Sequence, residues 1–202
     1  MVLALGGITL AGPAGAAAPP AADNPRPKPP RAVSEVQRAT IPALRRPAAK
    51  TIPPAVREFA HARTNGGDFA PNSSLAREVT IPSLPGSNAP TKWYVMPARG
   101  GVCIFGGRAG SCVPNALAQH GALYLQFITP VGADAIPPAG QPVPSTIVGA
   151  SPEGASSVVA KQQDGQQVEG KIMKGVFVLV ATDEVTELNF TNRVPMPRLP
   201  GR

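Results

Sequence analysis

Few residues in this 202-residue chain could support nucleophilic catalysis, because it has only two histidines. Hydrolysis by a serine needs a nucleophile, a base and an orienting group within reach of one another. His120 is the only histidine in the strand-rich region, and Ser111 and Ser145 are the serines that it could serve. The sequence contains no Gly-x-Ser-x-Gly motif. We predict no catalytic residue and keep His120 as a weak functional candidate, with a turn or surface role favoured.

Paired carboxylates are the second chemical possibility, and Asp183, Glu184 and Glu187 are the cluster that could supply them. Adjacent residues of a strand point to opposite faces, so this spacing predicts a solvated turn and strand edge rather than an acid–base cleft. A metal site would need more ligands than two cysteines and two histidines readily provide. The glycine-rich segment 106–111 lacks the lysine pattern of a phosphate-binding loop. The sequence therefore predicts neither a metal nor a cofactor.

Cys103 and Cys112 are the only cysteines, and the segment between them contains three glycines. This spacing predicts a hairpin closed by a disulfide bond, which would stabilise the fold by about 2–3 kcal/mol in the chain-entropy model. The spacing differs from the Cys-x-x-Cys of a thioredoxin-like redox centre. Gly107, Arg108 and Ala109 would lie at the tip and form a candidate contact loop. An arginine on a constrained loop is also compatible with a protease inhibitor.

The formal charge of +7 is concentrated in one part of the chain. Residues 19–63 have nine basic and three acidic residues, whereas residues 64–202 have ten basic and nine acidic residues. The basic part is also rich in proline, which fixes φ and removes backbone donors, and it has few large apolar side chains. We predict that residues 19–53 form a disordered, basic, proline-rich linker.

The placement of the charge bears on the partner. Binding of single-stranded nucleic acid combines basic grooves with stacking aromatic side chains, but residues 19–52 contain no Phe, Tyr or Trp. We therefore predict no nucleic-acid partner. Attraction of the basic arm to anionic cell-envelope components needs charge without special geometry and is the favoured interaction. A linker that only solvates is the alternative, and an unknown protein partner stays open.

The N-terminal residues 1–18 carry no charge and resemble a secretory signal peptide. A short apolar run from Val2 to Leu10 is followed by small residues, and Ala14-x-Ala16 suggests cleavage near Ala16. No Lys or Arg precedes the run, which leaves open a late start codon or a merely apolar terminus. The run is too short to span a membrane. We expect a secreted or envelope-associated protein without a transmembrane segment in its mature chain.

The remaining sequence predicts a mainly β fold. Residues 54–91 are predicted as a short helix from Pro54 to Arg63 followed by a loop, residues 92–191 as a β-rich domain, and residues 192–202 as a flexible tail. Asp164-Gly165 predicts a two-residue hairpin turn. Short strands separated by turns favour a small antiparallel sandwich or barrel-like domain. The predicted strands are Lys92–Met96, Gly101–Phe105, Ala122–Ile128, Ser145–Gly149, Ser156–Lys161, Gln166–Glu169, Val176–Val180 and Val185–Phe190.

Three features of the sequence resemble those of short, exported, uncharacterised proteins of the high-GC Gram-positive (actinobacterial) type. They are the Ala/Pro-rich leader, the Gly-rich two-cysteine segment after Trp93, and the run Ile147–Gly154 followed by Val-rich strands. The resemblance covers about residues 92–190. It implies an extracytoplasmic location rather than an activity.

These observations lead to three hypotheses. The first is an exported, non-enzymatic β-domain protein that binds at the cell envelope or extracellularly. The second is a small secreted hydrolase that uses His120 with a serine or carboxylate. The third is a secreted protease inhibitor that presents the Cys103–Cys112 loop with Arg108 at its tip.

Overall fold

The structure is a computed structural model, and it describes residues 28–66, 69–82, 89, 91–128 and 145–192. The predicted signal peptide (1–18), the first part of the predicted linker (19–27) and residues 193–202 of the predicted tail lie outside these residues. No helix in the described part of the chain is both long enough and apolar enough to cross a membrane.

The described residues form ten strands and three short α-helices. Each predicted strand overlaps an observed one, and the helix predicted from Pro54 is confirmed. The α-helices are α1 (Glu35–Thr40), α2 (Pro54–Gly66) and α3 (Asn115–Ala118), and Pro42–Arg45 and Ser73–Leu75 are single 3-10 turns. The strands are β1 (Arg77–Thr80), β2 (Lys92–Ala98), β3 (Gly101–Gly106), β4 (Ala109–Pro114), β5 (Tyr124–Ile128), β6 (Ser145–Ala150), β7 (Ala155–Gln162), β8 (Gln167–Met173), β9 (Val176–Ala181) and β10 (Val185–Asn192).

The strands form two antiparallel sheets, which confirms the prediction of a mainly β, sandwich-like or barrel-like fold. One sheet has the order β1-β2-β3-β4 and the other has the order β10-β7-β8-β9-β6-β5. A buried apolar cluster joins the two sheets, because it takes side chains from both. Among its members are Trp93, Val95 and Ile104 of the first sheet and Val148, Val176 and Val178 of the second.

The opposite face of the four-stranded sheet is covered by α2. Val56 and Ala60 of this helix are buried against Met96 and Phe105. The rings of Phe59 and Phe105 meet edge to face, with centroids 6.2 Å apart. The four-stranded sheet is therefore buried on both faces, which explains why β2 and β3 are nearly continuous runs of buried residues.

The prediction of a disordered linker is wrong for the part that the structure describes. Within that part, α1 and the following 3-10 turn pack on the core, and Val33, Ile41 and Leu44 are buried. Ser34 and Gln37 form a capping box at the start of α1. The few apolar residues of this segment cannot form a core of their own. They do cover part of the core that lies between the two sheets. Proline at the start of a 3-10 turn costs no hydrogen bond.

Two tight turns shape the second sheet. The hairpin predicted at Asp164-Gly165 is present, but its loop has three residues, 163–165, because the amide of Gln162 donates to the carbonyl of Gln166. The Asp164 carboxylate accepts a hydrogen bond of 2.9 Å from the amide of Gln166. A two-residue turn, Lys174-Gly175, joins β8 to β9 with φ angles of 54° and 81°. Gly175 has no room for a side chain, because the backbone of Ala43 lies against it. This turn therefore also docks the N-terminal segment.

Candidate functional site

The disulfide bond between Cys103 and Cys112 is confirmed. The two residues are directly opposite each other on β3 and β4, so the bond crosses a paired hairpin. Cys103 is buried in the cluster that α2 covers, which ties the hairpin to that core. Disulfides persist in oxidising compartments, so this one is compatible with an extracellular location.

The candidate contact loop is a tight turn rather than a flexible tip. Gly107 and Arg108 form the turn and are exposed, whereas Ala109 is already the first residue of β4 and pairs with Gly106. Arg108 thus lies at a sharp reversal of the chain. No extended segment, of the kind that fits along a protease cleft, flanks it, because strands that pair with each other adjoin it on both sides. The geometry does not favour the inhibitor hypothesis.

His120 lies just after α3, where its amide donates a 3.1 Å hydrogen bond to the carbonyl of Leu117. Its ring is exposed, and within the described residues its only side-chain hydrogen bond joins Nε2 to Nε2 of Gln119, 3.3 Å away. Ser145 is fully buried, and its hydroxyl accepts a 2.9 Å hydrogen bond from Gln126. The structure therefore does not bring His120 together with Ser145 as a catalytic pair.

A shallow groove of about 200 Å³ lies beside His120. Tyr124 and Glu187 also line it, so the histidine and one member of the acidic cluster share a surface. Pockets for small molecules usually measure about 300–1,000 Å³. The carboxylate of Asp183 accepts a hydrogen bond from the amide of Glu184, as expected for a turn. This groove suits a single side chain better than a whole substrate.

Groups of acidic, histidine and cysteine side chains that could hold a metal ion are absent from the described residues. The described carboxylates are instead spread over helices, turns and strands.

The extended segment 46–52 lies at the centre of a basic surface. We call this surface the basic face, and it consists of residues 46–52 and the residues that line the two grooves beside them. The amide of Ala49 donates a 2.8 Å hydrogen bond to the carbonyl of Ala76, so the segment runs along the outer edge of β1. Grooves of about 330 and 510 Å³ flank it and share Lys50 and Thr51. Arg46 and Lys174 line the first groove, and Arg57 lines the second.

The basic face contains one carboxylate, which is already engaged. Glu78 forms a 3.2 Å ion pair with Lys92 and accepts a 3.4 Å hydrogen bond from the hydroxyl of Tyr94. Burial of the phenol raises the pKa of Tyr94, and the negative charge and hydrogen bond of Glu78 raise it further. Among the described residues that line the two grooves, no unpaired carboxylate neutralises the four cations.

Sequence reasoning missed Lys174 as a member of the basic face. Lys174 is more than 100 residues from the other three cations in the chain, and it joins them because the β8–β9 turn packs against the N-terminal segment. The sequence Lys174-Gly175 does not by itself predict this turn, since the preferred residue before glycine in such turns is Asn, Asp or Gly.

Comparisons with known proteins yield no relative: no family model, no curated protein and no solved structure matches the chain.

Proposed function

We propose that this chain is an exported, non-enzymatic binding protein that attaches to anionic, phosphate-bearing surfaces of the cell envelope. The observation that carries the proposal is the clustering of Arg46, Lys50, Arg57 and Lys174 along two adjoining grooves. Among the described residues, the one carboxylate that lines these grooves, Glu78, is paired. Export is supported by the signal-peptide pattern of residues 1–18 and by the disulfide bond, which suits an oxidising compartment.

The physical basis is attraction between several cations and a dense anionic surface. Each Lys or Arg close to such a surface contributes about 1 kcal/mol, without any need for a closed pocket. Hydroxyl groups of Thr51, Thr80 and Ser73 line the same grooves and can donate hydrogen bonds to phosphate oxygens. The open shape of the grooves is suitable for a polymer or a lipid headgroup layer.

Because residues 46–52 are part of the folded domain, the basic stretch is a surface of that domain rather than a flexible arm. The backbone that carries Arg46 and Lys50 is held on the folded domain by the hydrogen bond from Ala49 to Ala76 and by the burial of Leu44. A fixed cluster loses less conformational freedom on binding than a flexible arm does. It also means that deletion of the segment would damage the fold, so substitutions are the proper test.

The test is co-sedimentation of the full chain with vesicles of phosphatidylglycerol and phosphatidylcholine, and its competition by soluble polyphosphate. A variant in which Arg46, Lys50, Arg57 and Lys174 are all changed to Gln should lose at least about 100-fold in affinity. The matched control changes Arg99, Arg108, Lys161 and Lys171 to Gln, which lowers the net charge equally at exposed positions elsewhere. We expect the control to lose less than about fivefold.

Salt provides the second arm of the test. Raising the ionic strength from about 0.1 M to about 1 M shortens the Debye length from about 10 Å to about 3 Å, so binding should disappear. Competition by polyphosphate would show that phosphate alone suffices, whereas its failure would assign the binding to the lipid surface. Equal losses in the two variants, indifference to salt, or preference for nucleic acid over both phosphate sources would disprove the proposal.

A further inference from the structure

The six-stranded sheet curls toward a barrel that does not close. One buried cluster gathers side chains from β6, β7, β9 and β10, and the rings of Phe177 and Phe190 meet edge to face with centroids 5.2 Å apart. Phe177 belongs to β9 and Phe190 to β10, which are three positions apart in the sheet order. Such contacts across the sheet require strong curvature, because strands three positions apart in a flat sheet are too distant to touch.

The two edge strands of this sheet meet at the groove beside His120. Five successive antiparallel pairings separate β10 from β5, so the two edges run in opposite directions. Tyr124 of β5 and residues 185–188 of β10 line the groove together. Among the described strands, β5 pairs only with β6, and β10 pairs only with β7. The groove is therefore an open seam between two unpaired strand edges, which we call the barrel seam.

The side chains at the barrel seam combine an aromatic ring with a carboxylate. Tyr124 is 41% exposed, although it lies on a strand whose neighbouring residues pack on the core. The register between β10 and β7 shifts between Val185 and Glu187, so the edge contains a bulge there. Bulges at sheet edges re-aim side chains and often occur beside functional sites. Here both Glu187 and Leu188 line the seam.

The charge along β10 has one sign. From Gly175 to Asn192 the sequence contains three carboxylates and neither Lys nor Arg. Glu187 is exposed and lies opposite Lys161 of β7 in the register, but the two side chains form no ion pair within the described part of the molecule. A ligand that fits this edge should therefore bring a cation. A second copy of the chain that paired β10 with β10 would instead place like charges near each other, which destabilises a sheet.

We propose that the barrel seam binds an extended peptide segment that carries a lysine or arginine. The backbone of the peptide would pair with the free edge of β10, as in recognition by strand addition. Its cationic side chain would enter the groove between the Glu187 carboxylate and the Tyr124 ring, which favours both an ion pair and a cation–π contact. The partner is a basic, strand-forming peptide, and its site is separate from the basic face.

The test uses the full chain and short fluorescein-labelled peptides of alternating Thr and Val with one central residue. Fluorescence anisotropy should show that peptides with central Lys or Arg bind at least about tenfold more tightly than the peptide with central Glu. Glu187→Gln should weaken the Lys peptide by about fivefold. The matched control Glu169→Gln removes an exposed carboxylate from β8 of the same sheet and should change nothing.

Two measurements examine the backbone pairing separately. Methylation of alternate backbone nitrogens of the Lys peptide should abolish binding, because it removes the strand hydrogen bonds. Hydrogen exchange should show protection of alternate amides in β10 when the unmodified peptide is present. Equal affinity for the Lys and Glu peptides, or protection on residues 46–52 instead of β10, would overturn the proposal. Protection of β10 that depends on protein concentration and needs no peptide would assign the edge to a second copy and overturn it as well.

Discussion

The side-chain amide of Gln37 donates a 2.6 Å hydrogen bond to the carbonyl oxygen of Gly101, which is 64 residues further along the chain. The same nitrogen donates a 3.1 Å bond to the carbonyl of Ala98, and Gln37 is only 3% exposed. These two carbonyls flank the β2–β3 turn, at the end of the four-stranded sheet. One side chain of the N-terminal segment thus satisfies two buried acceptors of the β domain.

Replacement of Gln37 by Leu should therefore destabilise the whole domain. The change removes both of these hydrogen bonds and also the one that Gln37 accepts from the amide of Ser34, and each is worth about 0.5–1.5 kcal/mol. We expect a loss of about 3 kcal/mol in the free energy of unfolding, measured by urea denaturation. Val36→Ala, on the same helix but 59% exposed, is the matched control and should change stability by less than about 0.5 kcal/mol. Equal behaviour of the two variants would show that the helix does not support the fold.

Leu44→Ala examines the same segment through packing instead of hydrogen bonding. Leu44 is 1% exposed in the cluster between the two sheets. Truncation of a buried leucine usually costs about 2–5 kcal/mol through lost transfer free energy and the cavity left behind. We expect one cooperative transition at lower urea concentration. A separate early transition would contradict this, because it would mean that the segment unfolds independently of the sheets.

The disulfide bond should contribute about 2 kcal/mol to stability, since it closes a short loop whose ends are already paired on β3 and β4. Addition of dithiothreitol should lower the unfolding temperature of the parent chain. In the double variant Cys103→Ala/Cys112→Ala the unfolding temperature should already be low and should not respond to dithiothreitol. An equal response of both proteins to the reductant would indicate that it acts elsewhere.

Tyr94 should make stability decrease at alkaline pH. Its folded pKa is raised by burial and then by Glu78, so the folded state holds the phenol proton more tightly than the unfolded state does. Stability from this group is fully present below the unfolded pKa of about 10 and is lost as the pH rises through the folded value. Tyr94→Phe should flatten the decrease in unfolding free energy above about pH 10.

A spectroscopic measurement gives the same pKa directly. Because the chain has only two tyrosines, Tyr124→Phe leaves Tyr94 as the only phenol that changes the ultraviolet spectrum on ionisation. The titration of this variant should have a midpoint above the usual value of about 10. Glu78→Gln should lower that midpoint without returning it fully, because burial is the larger cause. A midpoint at the ordinary value would disprove the assignment.

Most of the strands could be predicted from the sequence because their signals are local, but β1 and β4 are not among the predicted strands. Asp164-Gly165 defines one hairpin by turn chemistry, and the pairing of Cys103 with Cys112 defines another by covalent chemistry. The folding of Val33–Leu44 could not be predicted in this way. Its proline and charge content are typical of disorder, and its order depends on contacts such as that of Gln37 with Gly101, which are distant in sequence.

The candidate sites likewise combine residues that can be recognised in the sequence with contacts that only the fold creates. Arg46, Lys50 and Arg57 are visible as a basic stretch, but the fold is needed to bring Lys174 beside them. The two edges of the barrel seam are likewise individually visible as strands. Their approach depends on the curvature of the sheet, which arises from packing within its cluster of Phe177 and Phe190 and has no local sequence signal.

Lys174 connects stability with the proposed function. Its φ of 54° lies in the left-handed region, which costs a residue other than glycine roughly 1–2 kcal/mol, and asparagine tolerates it better. Lys174→Asn should therefore raise the free energy of unfolding by about 0.5–1 kcal/mol, measured by urea denaturation. The same variant should bind phosphatidylglycerol vesicles about fivefold more weakly, because one cation of the basic face is lost.

Lys171→Asn is the matched control, since it removes a lysine from the same hairpin at an exposed strand position. Asparagine is unfavourable in strands, so this variant should be slightly less stable than the parent chain. Its vesicle binding should stay within about twofold of the parent value, because Lys171 lines neither groove of the basic face. If Lys174 is retained in a strained turn only for its charge, Lys174→Asn should raise stability and weaken vesicle binding. Lys171→Asn should not combine a gain in stability with a loss of binding. Loss of stability in Lys174→Asn would contradict the strain, and unchanged binding would contradict the role of the cation.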